Sequence, residues 1–288
     1  MPDVALVTCA HLPELPDDDG YLQRALARRE IDAQPIIWDD LAQDWSQFRL
    51  SVLRSPWDYS LRYSEFLAWL DRVSSKTHLW NGADVVRWNA HKRYLKELSD
   101  REIATVPTHW LAAGTQVNLQ GLMCDRGWSE VVVKPAVSAN SRKTVRCDRP
   151  EIGQAHLNTF LPHLDMMVQP YLPSIETTGE LSLIFIDSKF AHAVRKCPAI
   201  GDYRIQEDYG GQFQFVVPTA AELALAERTL AKIPFTLLYA RVDLVRSWDD
   251  EPLLIELELV EPSLYFAAAP GTADILAEAI ARLLAARS

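Results

Sequence analysis

Positive charge is in short supply in this sequence. Its 288 residues include 29 Lys and Arg against 39 Asp and Glu, a formal net charge of -10 and a pI near 5.2. Nucleic acids and anionic membranes both require a cationic face, so neither is expected as the main partner. A small anionic substrate stays open, because a few local cations make a positive pocket even in an acidic protein. Cysteine is also scarce. Cys9, Cys124, Cys147 and Cys197 form no CxxC pair, which argues against a zinc site or a disulfide framework and for reduced thiols. The seven histidines show no paired metal spacing and no adjacent nucleophile, so they read as packing or surface residues. No apolar run approaches the ~18 residues of a spanning helix. Met1-Pro2-Asp3-Val4 lacks the basic start and apolar run of a signal peptide, so a cytoplasmic location is expected. Repeats, low-complexity tracts and disordered linkers are missing too, and the lobes should pack directly on one another.

What is present is an ordinary globular balance, 48% hydrophobic and 24% charged, on a chain long enough for two or three lobes. The opening third alternates apolar runs at 4–8, 33–38 and 50–54 with helical patterns, one capped by Asp17-Asp18-Asp19 and one over 63–73. Such alternation predicts a parallel sheet covered on both faces. The middle reads as a helix over 91–98 and strands at 106–111, 130–134 and 166–169. The run at 130–134 is β-branched and continuous, as a buried strand should be. Strands at 181–186 and 190–194 flank a hairpin turn at Asp187-Ser188-Lys189. A strand at 212–217, a helix at 221–233, strands at 239–245 and 253–259 and a final amphipathic helix complete the chain. The domain expectation is 1–88, 89–170 and 171–288.

The sharpest chemical pattern is Asp243, Glu256 and Glu258. Residues two apart on a strand share a face, so Glu256 and Glu258 point one way from an otherwise apolar strand. A polar turn at 247–252 would pair that strand with the one carrying Asp243. Three converging carboxylates need a cation, and all-oxygen donors without His or Cys suit Mg²⁺. Solvated acids on an exposed strand face are the alternative. Several cations stand at strand or helix ends: Lys92, Lys134, Arg195, Lys196 and Arg241, the last two positions before Asp243. Each suits a nucleotide phosphate, and each alone also suits a plain surface. Arg54, Trp57, Asp58 and Tyr59 follow a short strand at its carboxyl end, where open α/β sheets place ligands. Either Arg54 holds a substrate carboxylate and Asp58 an ammonium, or the segment is a structural loop. Asp202, Tyr203, Arg204 and Gln206 read equally as a loop over the site, with Arg204 toward a terminal phosphate, or as a surface loop.

Taken in chain order, these residues resemble the ATP-grasp superfamily, which includes D-alanine–D-alanine ligase and glutathione synthetase. The resemblance covers roughly residues 85–288, with the first third similar to the superfamily's preceding substrate domain. It implies an α+β fold, with an N-terminal α/β domain, a small central lobe and a C-terminal mixed-sheet lobe, and ATP between the last two. It also implies phosphate contacts from Lys92, Lys134, Ser138 and Lys196. Gln169-Pro170-Tyr171-Leu172 stands where a hinge takes adenine, with Val168 as a further wall, and Glu180 where a glutamate takes the ribose. Arg241 and Asp243, then Glu256 thirteen positions after Asp243, then Glu258, reproduce the closing motif. Two departures stand out. Glu258 replaces the usual Asn, and the phosphate-covering loop at 136–144 has no glycine, with Ser138, Ser141 or Arg142 to help its amides.

The phrases at 54–59, 88–95, 134–138 and 256–264 are most similar to the O-ureido-D-serine cyclo-ligase group, whose members close the D-cycloserine ring. The resemblance implies an ATP- and Mg²⁺-dependent carbon–nitrogen ligase that activates a small amino-acid-like carboxylate as an acyl phosphate, with Arg241 and Arg204 at the reacting phosphate. An intermolecular amino-acid ligase and a nucleotide-binding module without ligase activity are the other readings. A homodimer stays open.

Overall fold

Val4, Ala5, Leu6, Val7 and Thr8 are all buried, as befits a strand covered on both faces. They form β1 (Val4–Thr8) inside a parallel four-stranded sheet. α1 (Gly20–Ala27), β2 (Ala33–Ile37), β3 (Leu50–Ser55), α2 (Tyr63–Ser74) and β4 (His78–Trp80) complete this first layer, with strand order β2-β1-β3-β4. The computed structural model describes residues 2–139, 141–198 and 210–286. β4 is an addition to the sequence reading, being only three residues long. The expected aspartate cap is corrected. Asp17–Asp19 form a 3₁₀ turn without a side-chain cap. Asp18 instead accepts the backbone N–H groups of Phe266 and Ala267 at 2.9 and 2.8 Å, and Asp19 pairs with Arg54.

The second layer follows α3 (Ala83–Asn89) and α4 (Tyr94–Asp100). The helix expected over 91–98 begins only at Tyr94, as α4, and α3 before it was not anticipated; between them the Lys92 N–H donates to the Ala136 carbonyl at 2.8 Å. β5 (His109–Leu111), α5 (Leu119–Arg126), β6 (Val131–Pro135), β7 (Val145–Cys147), α6 (Pro150–Phe160) and β8 (Met166–Pro170) build an antiparallel sheet in the order β5-β8-β6-β7. β5 is shorter than the expected 106–111, because the Val106 N–H turns to the Leu254 carbonyl at 3.0 Å and Pro107 has no N–H. α5, α6 and β7 were not anticipated. Their signals were present: Asn118 caps α5, Gly127 ends it at φ 65°, and Pro150 opens α6. Leu119, Met123 and Leu157 pack these helices on Val131, Val133, Met166 and Val168.

In the third layer α7 (Ser174–Thr177) leads into β9 (Glu180–Ile186), β10 (Lys189–Cys197), β11 (Gln212–Val216), α8 (Ala220–Ala231), β12 (Tyr239–Arg246) and β13 (Pro252–Glu258), and the chain closes on α9 (Gly271–Ala285). The sheet is antiparallel throughout, in the order β11-β10-β9-β12-β13. Asp187 and Ser188, both with positive φ, make the expected β9–β10 hairpin turn. Among the described residues no helix is long and apolar enough to cross a membrane.

Period-two alternation divides this sheet between two jobs. Leu181, Leu183 and Phe185 face one way, into a core with Leu225 and Ala226 of α8 and Leu95 and Leu98 of α4. Ile184 and Ile186 face the other way and pack under Leu276, Ala277 and Ile280 of α9, together with β1 and α1. Each fully buried aliphatic side chain here stabilises the fold by about 1.5–3 kcal/mol. The same face carries Glu180 and Ser182 at its other end, clear of α9. One half of the face is therefore apolar and covered, and the other half is polar. Edge strand β13 is clasped rather than open. Asn89 exchanges hydrogen bonds with the Leu257 carbonyl and the Leu259 N–H at 2.8 Å each, and the Tyr94 hydroxyl accepts from the Leu257 N–H at 3.0 Å.

Candidate active site

The polar half-face is assembled by strand register. Lys196 lies opposite Glu180, and Asp243 opposite both Ser182 and Glu256. Arg241 lies opposite Glu258. All of these side chains except Ser182 line one cavity of about 1110 Å³, walled on its far side by the central sheet and the loop after it. That is ample for a ligand larger than most drug-sized molecules. Gly179 makes the approach of Glu180 possible. Its φ is +82°, and a Cβ there would stand 2.4 Å from the Lys196 carbonyl oxygen.

Opposite charges are interleaved across the face. Arg241 holds Asp243 with Nε at 3.0 and 3.1 Å and a terminal nitrogen at 2.9 Å, and it also pairs with Glu258. Lys196 pairs with Glu180 and stands 3.6 Å from Asp243, which also accepts from Ser182. Lys92 reaches Glu256 at 2.8 Å and donates to the Ser138 carbonyl at 3.0 Å, so it ties the 136–144 loop to the face. Burial works against Glu256 ionising, but the Lys92 and Lys134 ammonium groups hold its carboxyl below the usual range. Glu258 goes the other way. Burial and the neighbouring carboxylates outweigh Arg241 and push it up to about 7. Lys134 faces the cavity without a hydrogen bond or ion pair among the described residues, and burial lowers its pKa.

Asp243, Glu256 and Glu258 do share a face, as their spacing predicts, yet each is turned to a cation. Among the described residues no group of three His, Cys, Asp or Glu side chains is gathered for a metal ion. The donor chemistry itself fits Mg²⁺: all-oxygen, carboxylate-rich and beside a cavity with cations.

The residues expected around a base line the same cavity. Gln169 is buried with its amide nitrogen on Thr108 Oγ1 at 2.9 Å, and Tyr171, Leu172, Val106 and Ile255 stand beside it. The Tyr171 hydroxyl donates to Glu176 at 2.6 Å, and the Arg146 guanidinium stacks 3.6 Å from the Tyr171 ring centre. Arg146, on β7, in turn holds Glu130, just before β6, on one side and Glu176 of α7 on the other. The loop at 136–144 explains why glycine is usual there. Ser141 and Lys143 adopt φ of 52° and 54°, a left-handed conformation that glycine takes without steric cost.

The N-terminal quartet divides. Trp57 and Tyr59 line the cavity. Arg54 lies beneath it, 1% exposed, donating to Asp19 at 3.0 Å and to the Pro262 carbonyl at 3.1 Å. Asp58 accepts from Trp38 Nε1 at 2.8 Å and stands 3.9 Å from Arg62. Neither Arg54 nor Asp58 lines the cavity. The structural alternative for these two is the one the packing supports. Arg204, with Asp202, Tyr203 and Gln206, lies outside the described residues. Sequence reasoning missed Glu261, Ser263 and Tyr265, which line the cavity from the loop after β13. Glu261 was visible as a further carboxylate three positions past Glu258. Tyr265, at φ 52° beside Phe213 with ring centres 5.0 Å apart, left no pattern to find.

The fold is that of the ATP-grasp proteins. A RimK-domain ATP-grasp protein from Sphaerobacter thermophilus superposes with a TM-score of 0.69 over 98% of both chains, at 17% identity. A closer likeness is to the crystal structure of D-cycloserine synthetase DcsG, with a TM-score of 0.89 and 32% identity over 98% of this chain and 99% of that one. The cycloserine biosynthesis protein DcsG of Streptomyces lavendulae is 33% identical over 98% of both chains, and residues 4–81 match the family model for the N-terminal domain of D-cycloserine synthetase DcsG. This chain belongs to the DcsG family of ATP-grasp proteins.

Proposed function

We propose that this protein is an ATP- and Mg²⁺-dependent carbon–nitrogen ligase that converts O-ureido-D-serine to D-cycloserine. The observation that carries the reading is the polar half-face of the C-terminal sheet, set in a chain similar to a cycloserine biosynthesis protein along its whole length. ATP lies with its base by Gln169, Tyr171 and Leu172 and its ribose by Glu180, between the central and C-terminal lobes. Its phosphates run past Lys134, Lys196, Lys92 and Ser138 toward Arg241. Asp243, Glu256 and Glu258 would hold Mg²⁺, which would supply positive charge to offset that of the phosphates. Phosphoryl transfer needs positioning and charge stabilisation more than a protein nucleophile, and these cations supply both.

A carboxylate oxygen of the substrate attacks the γ-phosphorus and ADP departs. The oxygen-linked ureido nitrogen of the same molecule then attacks the acyl carbon and phosphate leaves, a step favoured by proximity. Water then cleaves the bond from that nitrogen to the carbamoyl carbon, the nitrogen keeping a proton and the carbamoyl group leaving as carbamic acid, which breaks down to ammonia and carbon dioxide. The N-terminal domain closes the substrate end with Trp57 and Tyr59.

The direct test is ADP release with Mg-ATP and O-ureido-D-serine beside a panel of amino acids and dipeptides, with product mass read in parallel. Release with O-ureido-D-serine and a ring-closed mass is the expected result. Release only with a second amine present would replace ring closure by intermolecular ligation, and no release with any compound would reject the ligase reading. Lys134→Ala is expected to weaken ATP binding by about 10- to 100-fold, the loss of one charged hydrogen bond to phosphate. It should leave the melting temperature of the free protein little changed, because Lys134 makes no hydrogen bond or ion pair among the described residues. An unchanged ATP affinity, read by calorimetry, would place the phosphates elsewhere.

A further inference from the structure

One carboxyl group on this cavity stands apart from the others, that of Glu261. Its residue is 9% exposed and lines the cavity, yet its carboxylate makes no hydrogen bond or ion pair among the described residues. Every other carboxylate of the face has a cation: Glu180 has Lys196, Glu256 has Lys92, and Asp243 and Glu258 share Arg241. Burial first, and then repulsion from Glu258 and Glu256, push Glu261 up to about 8 against the pull of Lys92 and Arg241.

The backbone of Glu261 is held firmly. Trp57 Nε1 donates to the Glu261 carbonyl at 3.1 Å, Arg54 to the next carbonyl at 3.1 Å, and Asp18 accepts the amides of Phe266 and Ala267. Three side chains from the N-terminal domain therefore fix this loop, and with it the position of the Glu261 side chain.

We infer that Glu261 is the residue that binds the α-ammonium group of the substrate and so selects amino acids over other carboxylates. The assignment rests on the proposed amino-acid substrate. The ammonium and the carboxylate of an α-amino acid share one carbon, so their recognition groups must be neighbours. Glu261 lines the same cavity as Lys92 and Arg241, at whose end the proposed phosphoryl transfer to the carboxylate takes place. The N-terminal domain contributes to specificity chiefly through this loop, by way of Arg54, Trp57 and Asp18.

The test is calorimetric binding of O-ureido-D-serine and of its desamino analogue to the wild type and to Glu261→Gln, each loaded with Mg²⁺ and a β,γ-imido analogue of ATP. The wild type should prefer the amino compound by about 10- to 100-fold, the worth of one buried charged hydrogen bond. Glu261→Gln should lose that preference while binding the desamino analogue and the nucleotide as the wild type does. A preference retained in Glu261→Gln, or an equal loss for both compounds, overturns the assignment. So does a wild type that binds the two compounds alike. If the wild type closes the ring and only these binding patterns fail, the role of Glu261 falls and the ligase reading stands. If the wild type neither binds O-ureido-D-serine nor releases ADP with it, the ring-closure reading falls and the assignment with it.

Discussion

Replacing Glu256 by Gln is expected to lower kcat for ADP release by about 10²- to 10³-fold, the usual cost of removing one preorganised electrostatic group from a charge-developing transition state. Gln keeps the volume and still offers Lys92 an amide oxygen at the place where the carboxylate stands 2.8 Å away. The fold should therefore survive, with a melting temperature close to that of the wild type. The substitution removes one of the three carboxylate charges offered to Mg²⁺, so the Mg²⁺ concentration for half-maximal rate should rise as kcat falls. That joint change separates the metal role from a second one visible in the structure. Glu256 also orients Lys92, which ties down the loop over the cavity through the Ser138 carbonyl. If Glu256 acted only by orienting Lys92, ATP affinity would fall and the Mg²⁺ requirement would not move. A wild-type rate in the variant would reject both roles.

Arg54→Ala should cost about 3–5 kcal/mol of stability, because breaking a buried ion pair leaves an uncompensated charge. For a chain of this size that corresponds to a fall of roughly 10 °C in melting temperature. Arg54 is 1% exposed, and its partner Asp19 is buried as well. Burial raises the Asp19 pKa even against the attraction of Arg54, so the pair is poor as a net source of stability and strong as a fixer of position. Arg54→Met combined with Asp19→Asn should accordingly cost less than Arg54→Ala alone, a coupling that a double-mutant cycle measures. The single variant should also loosen the loop that Arg54 holds at Pro262, so substrate KM should rise more than ATP KM. If Arg54 instead bound the substrate carboxylate directly, its removal would leave the melting temperature nearly unchanged and depress turnover alone.

These two residues mark how far the sequence could be read. Both stood out as chemically interesting, Glu256 by its place in an apolar strand and Arg54 by its place at a strand end. For Glu256 the reading held at the level of geometry. Period two is a property of any strand, so Glu256 and Glu258 had to share a face, and the short polar turn before them had to bring Asp243 and Arg241 alongside. The hairpin at Asp187-Ser188 was legible for the same local reason, as was the alternation of strands and helices in the first third.

Elsewhere local signals were present but unread, or were outweighed by distant contacts. The Asn118 cap and Pro150 start announced α5 and α6. The late start of α4 did not announce itself, since Lys92 is held by a hydrogen bond to Ala136, forty-four positions away. Three aspartates at a helix start read as a cap, yet Asp18 and Asp19 were taken by partners from 266–267 and from Arg54.

The sequence by itself determined which side chains share an element's face, because helix and strand periods are local and need no partner. It thereby determined that acids and bases gather on one end of the C-terminal sheet. Only the tertiary structure decided which of those charges are already paired. It drew Arg54 and Asp58 into the packing, left Lys134 facing the cavity, and set Glu261 on the same cavity as Lys92 and Arg241 without an ion pair among the described residues. Pairing depends on distances between elements far apart in the chain, and spacing along the chain does not contain those distances.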